Sequence, residues 1–190
     1  LHFPLAPDFN IIQLVSYMFM HAGFSHIFFN MFAVYMFGRV LENVWGPKRF
    51  LIFYMVTGIG AGIIQELTWL YDFRDVISAP QEMINIGGGR ILTKPEFYDL
   101  FVTVGASGAV FGILLAFGML FPNVPLYLMF IPIPIKAKYF VIFYGLAELT
   151  MGVANFSGDS VAHFAHLGGM LFGYVLIKYW KNKDFKNGRY

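Results

Sequence analysis

Charged residues along this chain are gathered into short clusters, and between them run long uncharged stretches. Counting histidine as neutral, residues 9–38, 100–135 and 160–177 carry no charge at all. Residues 50–71 carry only Glu66, and 139–158 only Glu148. A helix that crosses the hydrocarbon core of a bilayer needs about 20 mostly apolar residues. The pattern therefore predicts five membrane-spanning helices, near 20–40, 50–70, 102–121, 138–155 and 161–180. The third uncharged run is too long for one crossing. Phe121-Pro122-Asn123-Val124-Pro125 should end its helix, because proline lacks a backbone donor and clashes with the preceding turn. The stretch 126–135, with Pro132 and Pro134, reads as an interfacial connection rather than a sixth crossing. The predicted fold class is all-α: a polytopic transmembrane helical bundle forming a single domain over 1–190.

Composition agrees and narrows the function. The 190 residues are 58% hydrophobic, 19% aromatic and 13% charged, whereas soluble domains are about 25% charged. Too few polar side chains remain to cover a soluble exterior, which excludes a soluble enzyme or a disordered chain. A net charge of +2 is no footprint for phosphate, so no nucleic-acid partner is expected. The absence of cysteine removes disulfides, thiol nucleophiles and thiolate metal sites.

Three segments hold ten of the thirteen basic residues: Arg39, Lys48 and Arg49; Lys136 and Lys138; and Lys178, Lys181, Lys183, Lys186 and Arg189. Basic flanks face the cytoplasm, so the C-terminal tail should be cytoplasmic and the N-terminal end outside. The aromatic residues read as lipid-facing and interfacial packing. Residues 1–10 resemble a mid-chain loop, and a further segment is expected before Leu1. Gly87-Gly88-Gly89 lacks a following lysine and reads as a flexible turn.

Against this background the intramembrane polar residues stand out, since such groups are costly and face a bundle interior or a water-filled cavity. His26 and Asn30 are four apart and share one helix face. With a rise of 1.5 Å per residue, His26 lies about 20 Å above Arg39, Ser107 about 22 Å above Pro122, and His166 about 18 Å above Lys178. Three helices thus place polar side chains at one level in the outer half of the membrane. Gly108 and Gly112, and likewise Gly169 and Gly173, form small-xxx-small pairs that let helix backbones approach. Packing of spans three and five through these faces would bring Ser107 to His166. Neutral histidine can take the serine proton and create a nucleophile. The Ser107 N–H, His26 and Asn30 would supply donors for an oxyanion. Asp159 lies in a loop seven residues before His166, so a Ser–His dyad without a third acid is expected.

Other polar groups receive quieter readings. Glu148, the one acid well inside its span, is expected to be structural, either protonated or paired across the bundle. His163 and His166 are three apart, but no HExxH motif and no carboxylate at ligand spacing accompany them, so no metal is expected. His163 is expected to line the cavity entrance, and His21 to be structural. A small transporter or channel would need intramembrane charges, internal symmetry or broken helices, of which only Glu148 offers a trace.

The segments His21-Ala-Gly-Phe-Ser-His26-Ile-Phe-Phe-Asn30, Gly105-Ala-Ser107-Gly108 and Ala165-His166-Leu-Gly-Gly169 together resemble the rhomboid intramembrane serine proteases. The resemblance covers essentially the whole chain. It implies a rhomboid-like six-helix core, whose second to sixth helices would be the five spans found here. It also implies Ser107 as nucleophile, His166 as general base, His26 and Asn30 as oxyanion donors, and no cofactor or metal. The implied partners are the lipid bilayer and single-span membrane-protein substrates, cleaved toward the outer face past a lateral gate at span four. A bacterial inner membrane is the expected location. Phe111 stands where many relatives have tyrosine, and should pack against the imidazole. The alternative is a catalytically inactive rhomboid-like protein that binds membrane clients; its usual signature is loss of the serine or histidine, and both are present.

Overall fold

The computed structural model describes residues 1–127, 133–154 and 161–186. Five long helices dominate it. The first, α1, runs over Phe24–Trp45 and is continuous through a π-helical stretch at Val34–Gly38. Gly46, at φ 80°, breaks the chain away from it, and Pro47 then starts α2 (Pro47–Asp72). Proline suits that first position, where its missing N–H would have no helical acceptor. Next come α3 (Ser107–Leu120), α4 (Ala137–Ala154) and α5 (His163–Lys186).

Three of these helices, α1, α2 and α4, are long and apolar enough to cross a membrane. The sequence pattern predicted five such spans, and the two others differ for separate reasons. At 14 residues, α3 is short; it extends about 21 Å against a hydrocarbon core of about 30 Å. Residues 102–106, as uncharged as the helix itself, form the loop that leads into it. The 24 residues of α5 are long enough, but two histidines at one end and lysines at the other dilute its apolar character.

Buried residues lie all round α3, from Gly108 to Gly118, as expected of a helix surrounded by others. The most extensive packing joins α5 to α2 and α3, with α2 also against α3. By contrast, α1 and α4 turn large apolar side chains outward: Phe24 is 81% exposed, Phe143 69% and Val153 70%. Such continuous apolar exteriors would be untenable in water and match the acyl chains of a bilayer. The protein is an integral membrane protein.

Glycine faces set the closest approach, as their spacing predicted. A Cβ on Gly169 would overlap the Gly108 carbonyl, and one on Gly112 would lie 3.1 Å from the Gly169 oxygen. At the basic end, Arg49 donates two hydrogen bonds to Asp184, at 2.8 and 2.7 Å, tying the start of α2 to the end of α5.

At the opposite end, residues 73–106 connect α2 to α3. Strands β1 (Met83–Asn85) and β2 (Ile91–Thr93) pair antiparallel, joined through Gly87, Gly88 and Gly89, all at positive φ. Thr93 then caps the short helix Lys94–Tyr98 in a reciprocal capping box with Glu96. The Thr93 hydroxyl and backbone N–H bonds hold the Glu96 carboxyl below its usual range. Phe3 is fully buried here, with rings of Trp69, Phe73 and Tyr98 around it. The chain leaves α3 at Leu120, next to the prolines expected to end it, and β3 (Pro125–Leu126) pairs with β4 (Ile135–Lys136). The expected interfacial connection at 126–135 lies partly outside the described residues, at 128–132, as does Asp159.

Candidate active site

Ser107 is the first residue of α3, and the backbone before it accounts for its placement. Gly105 adopts φ 126°, a left-handed conformation that side chains rarely tolerate. Its N–H donates to the Tyr17 carbonyl at 2.9 Å, and the Tyr17 hydroxyl donates to Gly58 of α2 at 2.6 Å. The approach to Ser107 is therefore anchored to the bundle. A Cβ on Gly105 would stand 2.6 Å from His26 Nε2 and 3.7 Å from Ser107 Oγ, so the imidazole of α1 and the serine flank this glycine. The first turn of a helix leaves N–H groups without helical acceptors, and they attract negative charge.

Across the glycine contact, α5 presents His166. Its Nε2 lies 2.8 Å from Ser107 Oγ. Its ring is stacked on Phe111, one turn after the serine, with centroids 4.2 Å apart and planes 8° from parallel. The expected aromatic packing at Phe111 is present. His166 is 8% exposed.

Behind His166 the structure departs from expectation. Glu148 Oε2, from α4, lies 2.9 Å from His166 Nδ1 and 2.6 Å from His163 Nδ1. Asp159, near in sequence, lies outside the described residues, and the carboxyl group beside His166 belongs to another helix. Glu148 is thus paired across the bundle, as one of its two expected states required. A carboxylate only accepts hydrogen bonds. An ionised Glu148 would accept a hydrogen bond from each Nδ1–H and leave His166 Nε2 as an acceptor for the Ser107 hydroxyl.

The same three residues also form a group of potential metal ligands. One ligand atom from each of Glu148, His163 and His166 lies within 4.8 Å of the others. The sequence had offered no carboxylate at ligand spacing because this one is 15 residues before His163 on a separate helix. A depth signal was available: Glu148 is ten residues beyond Lys138, about 15 Å up its helix, close to the level of His166.

The α1 residues are only partly drawn together. His26 reaches the Gly105–Ser107 turn, with His21 edge-on to its ring at 5.1 Å between centroids. Asn30 is buried, but its Nδ2 donates to the His26 carbonyl at 2.9 Å, turning that amide back onto its own helix. A cavity of about 810 Å³ opens between the ends of α2, α4 and α5 and residues 100–103. Gln65, Thr68, Asp72, Thr103 and His163 contribute its polar lining, whereas Ser107, His166 and His26 are not among the residues that line it.

Comparison with known proteins identifies the family. The Rhomboid domain family profile matches residues 8–182. "RHOMBOID-like protein 12, mitochondrial" of Arabidopsis thaliana is 31% identical over 158 residues, which is 82% of this chain and 42% of that protein. "Rhomboid protein 1, mitochondrial" of Saccharomyces cerevisiae is 29% identical over 178 residues, 94% of this chain and 44% of that one. "Rhomboid protease AarA" of Providencia stuartii is 24% identical over 168 residues, 84% and 52% of the two chains. The chain spans about half the length of these relatives, and they belong to a mitochondrion in two cases and a bacterium in the third. The family profile runs through all three polar motifs and nearly the whole chain: the chain belongs to the rhomboid family.

Proposed function

We propose that this protein is an intramembrane serine endopeptidase, acting as a single membrane domain, with Ser107 as nucleophile and His166 as general base. The observation behind this reading is the 2.8 Å contact between Ser107 Oγ and His166 Nε2, part-buried within the bundle. A relative whose name includes rhomboid protease supports the reaction class.

The chemistry follows from the contact. Ser107 Oγ attacks the scissile carbonyl carbon while its proton passes to His166 Nε2, which later protonates the leaving amine. The carbonyl oxygen becomes an oxyanion held by the Ser107 N–H at the start of α3, by His26 and by the second amide hydrogen of Asn30. Water then enters to hydrolyse the acyl-enzyme. The substrates are single-span membrane proteins, cut near the outer face and admitted past α4. The clustered bases support a cytoplasmic C-terminal tail, and a bacterial inner membrane is the proposed location.

The test is cleavage of a model single-span substrate by the protein in lipid vesicles, alongside Ser107→Ala and His166→Ala. Both substitutions should abolish cleavage and labelling by a fluorophosphonate. Equal cleavage by all three proteins would overturn the assignment. A reporter fused after Tyr190 should read cytoplasmic; an external signal would reverse the orientation.

A further inference from the structure

We propose that Glu148 is the positioning residue for His166, so that the site works as a serine–histidine–glutamate triad rather than a dyad. The proposal rests on the Ser107–His166 reading above and adds a residue to it. The imidazole of His166 is held from three directions. Ser107 Oγ lies 2.8 Å from Nε2, Glu148 Oε2 lies 2.9 Å from Nδ1, and Phe111 covers one face at 4.2 Å. The serine and the aromatic ring fix where the ring lies, but neither selects which nitrogen carries the proton. Glu148 does: accepting from Nδ1–H leaves Nε2 as the acceptor that general-base catalysis requires.

During attack, the Ser107 proton moves to Nε2 as the Oγ–C bond forms, and His166 becomes an imidazolium with both nitrogens protonated. Its Nδ1–H already faces the carboxylate, which stabilises this charge without taking the proton. Collapse of the intermediate breaks the C–N bond and returns the Nε2 proton to the departing amine.

His163 has the complementary task. Its Nδ1 donates to the same Glu148 oxygen at 2.6 Å, steadying the carboxylate from the cavity side. Glu148, His163 and His166 are 8%, 7% and 8% exposed, so water competes little for these bonds. The distances favour hydrogen bonding over a metal centre. A tetrahedral ion about 2.1 Å from each ligand would hold those atoms about 3.4 Å apart, whereas the two nitrogen–oxygen separations here are 2.6 and 2.9 Å.

The experiment compares the full chain in vesicles with Glu148→Gln, Glu148→Ala and Ser107→Ala, measuring kcat and KM on the single-span substrate. Glu148→Gln should lower kcat by about 10²-fold or more with KM nearly unchanged. Nitrogen-15 NMR of the unsubstituted protein should show His166 protonated at Nδ1 and bare at Nε2. In Glu148→Ala the two tautomers should mix. Unchanged kcat in a folded Glu148→Gln protein would overturn the proposal, and so would a proton on Nε2 of the neutral ring in the unsubstituted protein. The NMR measurement decides even if the variants fail to fold. Loss of activity with EDTA, restored by zinc, would replace the triad with a metal site. Cleavage that survives in Ser107→Ala would refute the serine-protease reading itself, separately from the tautomer result.

Discussion

Gly169 lies where α3 and α5 meet backbone to backbone, three residues after His166. Replacing it with alanine puts a methyl group into the Gly108 carbonyl. Neither atom can rotate away, because one is main chain and the other is fixed to it. The helices must part, and the separation needed is about 1 Å or more, at an overpacking cost of about 1–3 kcal/mol. The Ser107–His166 contact is one turn away. A retreat of α5 by about 1 Å would stretch its 2.8 Å to about 3.8 Å, beyond hydrogen-bond reach. Misplacement of reacting groups on that scale costs about 10²-fold in rate. The expected result for Gly169→Ala is therefore a lower Tm in detergent together with about a hundredfold loss of kcat on the model substrate. Gly145→Ala is the control, because a Cβ there meets only the flexible end of Met170, at 3.2 Å. Should Gly169→Ala keep the Tm and rate of the unsubstituted protein, the close α3–α5 contact and the geometry built on it would be wrong.

Arg49→Ala removes both hydrogen bonds to Asp184, whose side chain is 11% exposed while that of Arg49 is 34%. Discounting for the arginine's exposure, the loss should be about 1–2 kcal/mol, read as earlier thermal unfolding; Asp184→Asn in the same chain should recover part of it, and an unchanged melt would rule the clamp out. The capping box gives a pH dependence. Because Thr93 holds the Glu96 carboxyl below its usual range, its stabilising effect is complete above the unfolded carboxylate value and fades as pH falls through the lower folded value. Amide-exchange protection of Lys94–Tyr98 should fall on acidification, and Thr93→Ala should flatten that response.

The chemistry-bearing residues were legible to different degrees, for identifiable reasons. Ser107 and His166 could be paired in advance because helical rise puts them at one depth and the glycine spacing names the faces that meet. Where α3 begins could not be read: residues 102–106 are as apolar as the helix, and only Gly105 at positive φ, tied to Tyr17, marks the break. Asn30 was placed on the correct face, yet nothing in the spacing shows its amide bonding back to the His26 carbonyl. Glu148 was noticed as an isolated intramembrane acid. Its partners were not, since 15 and 18 residues and an intervening connection separate it from His163 and His166.

The sequence by itself determined the solvent, the family motifs and the level at which polar groups gather. These depend on local quantities: the length of uncharged runs, the sign of their flanks and the rise of a helix. Tertiary structure alone decided which helices meet and at what distance. Three helices bearing polar groups at one depth can pack around one another in several orders. The order here is set by glycine backbones that fit at Gly108 and Gly169. That choice puts Ser107 on one side of His166, and the packing of α4 against α5 puts Glu148 on the other.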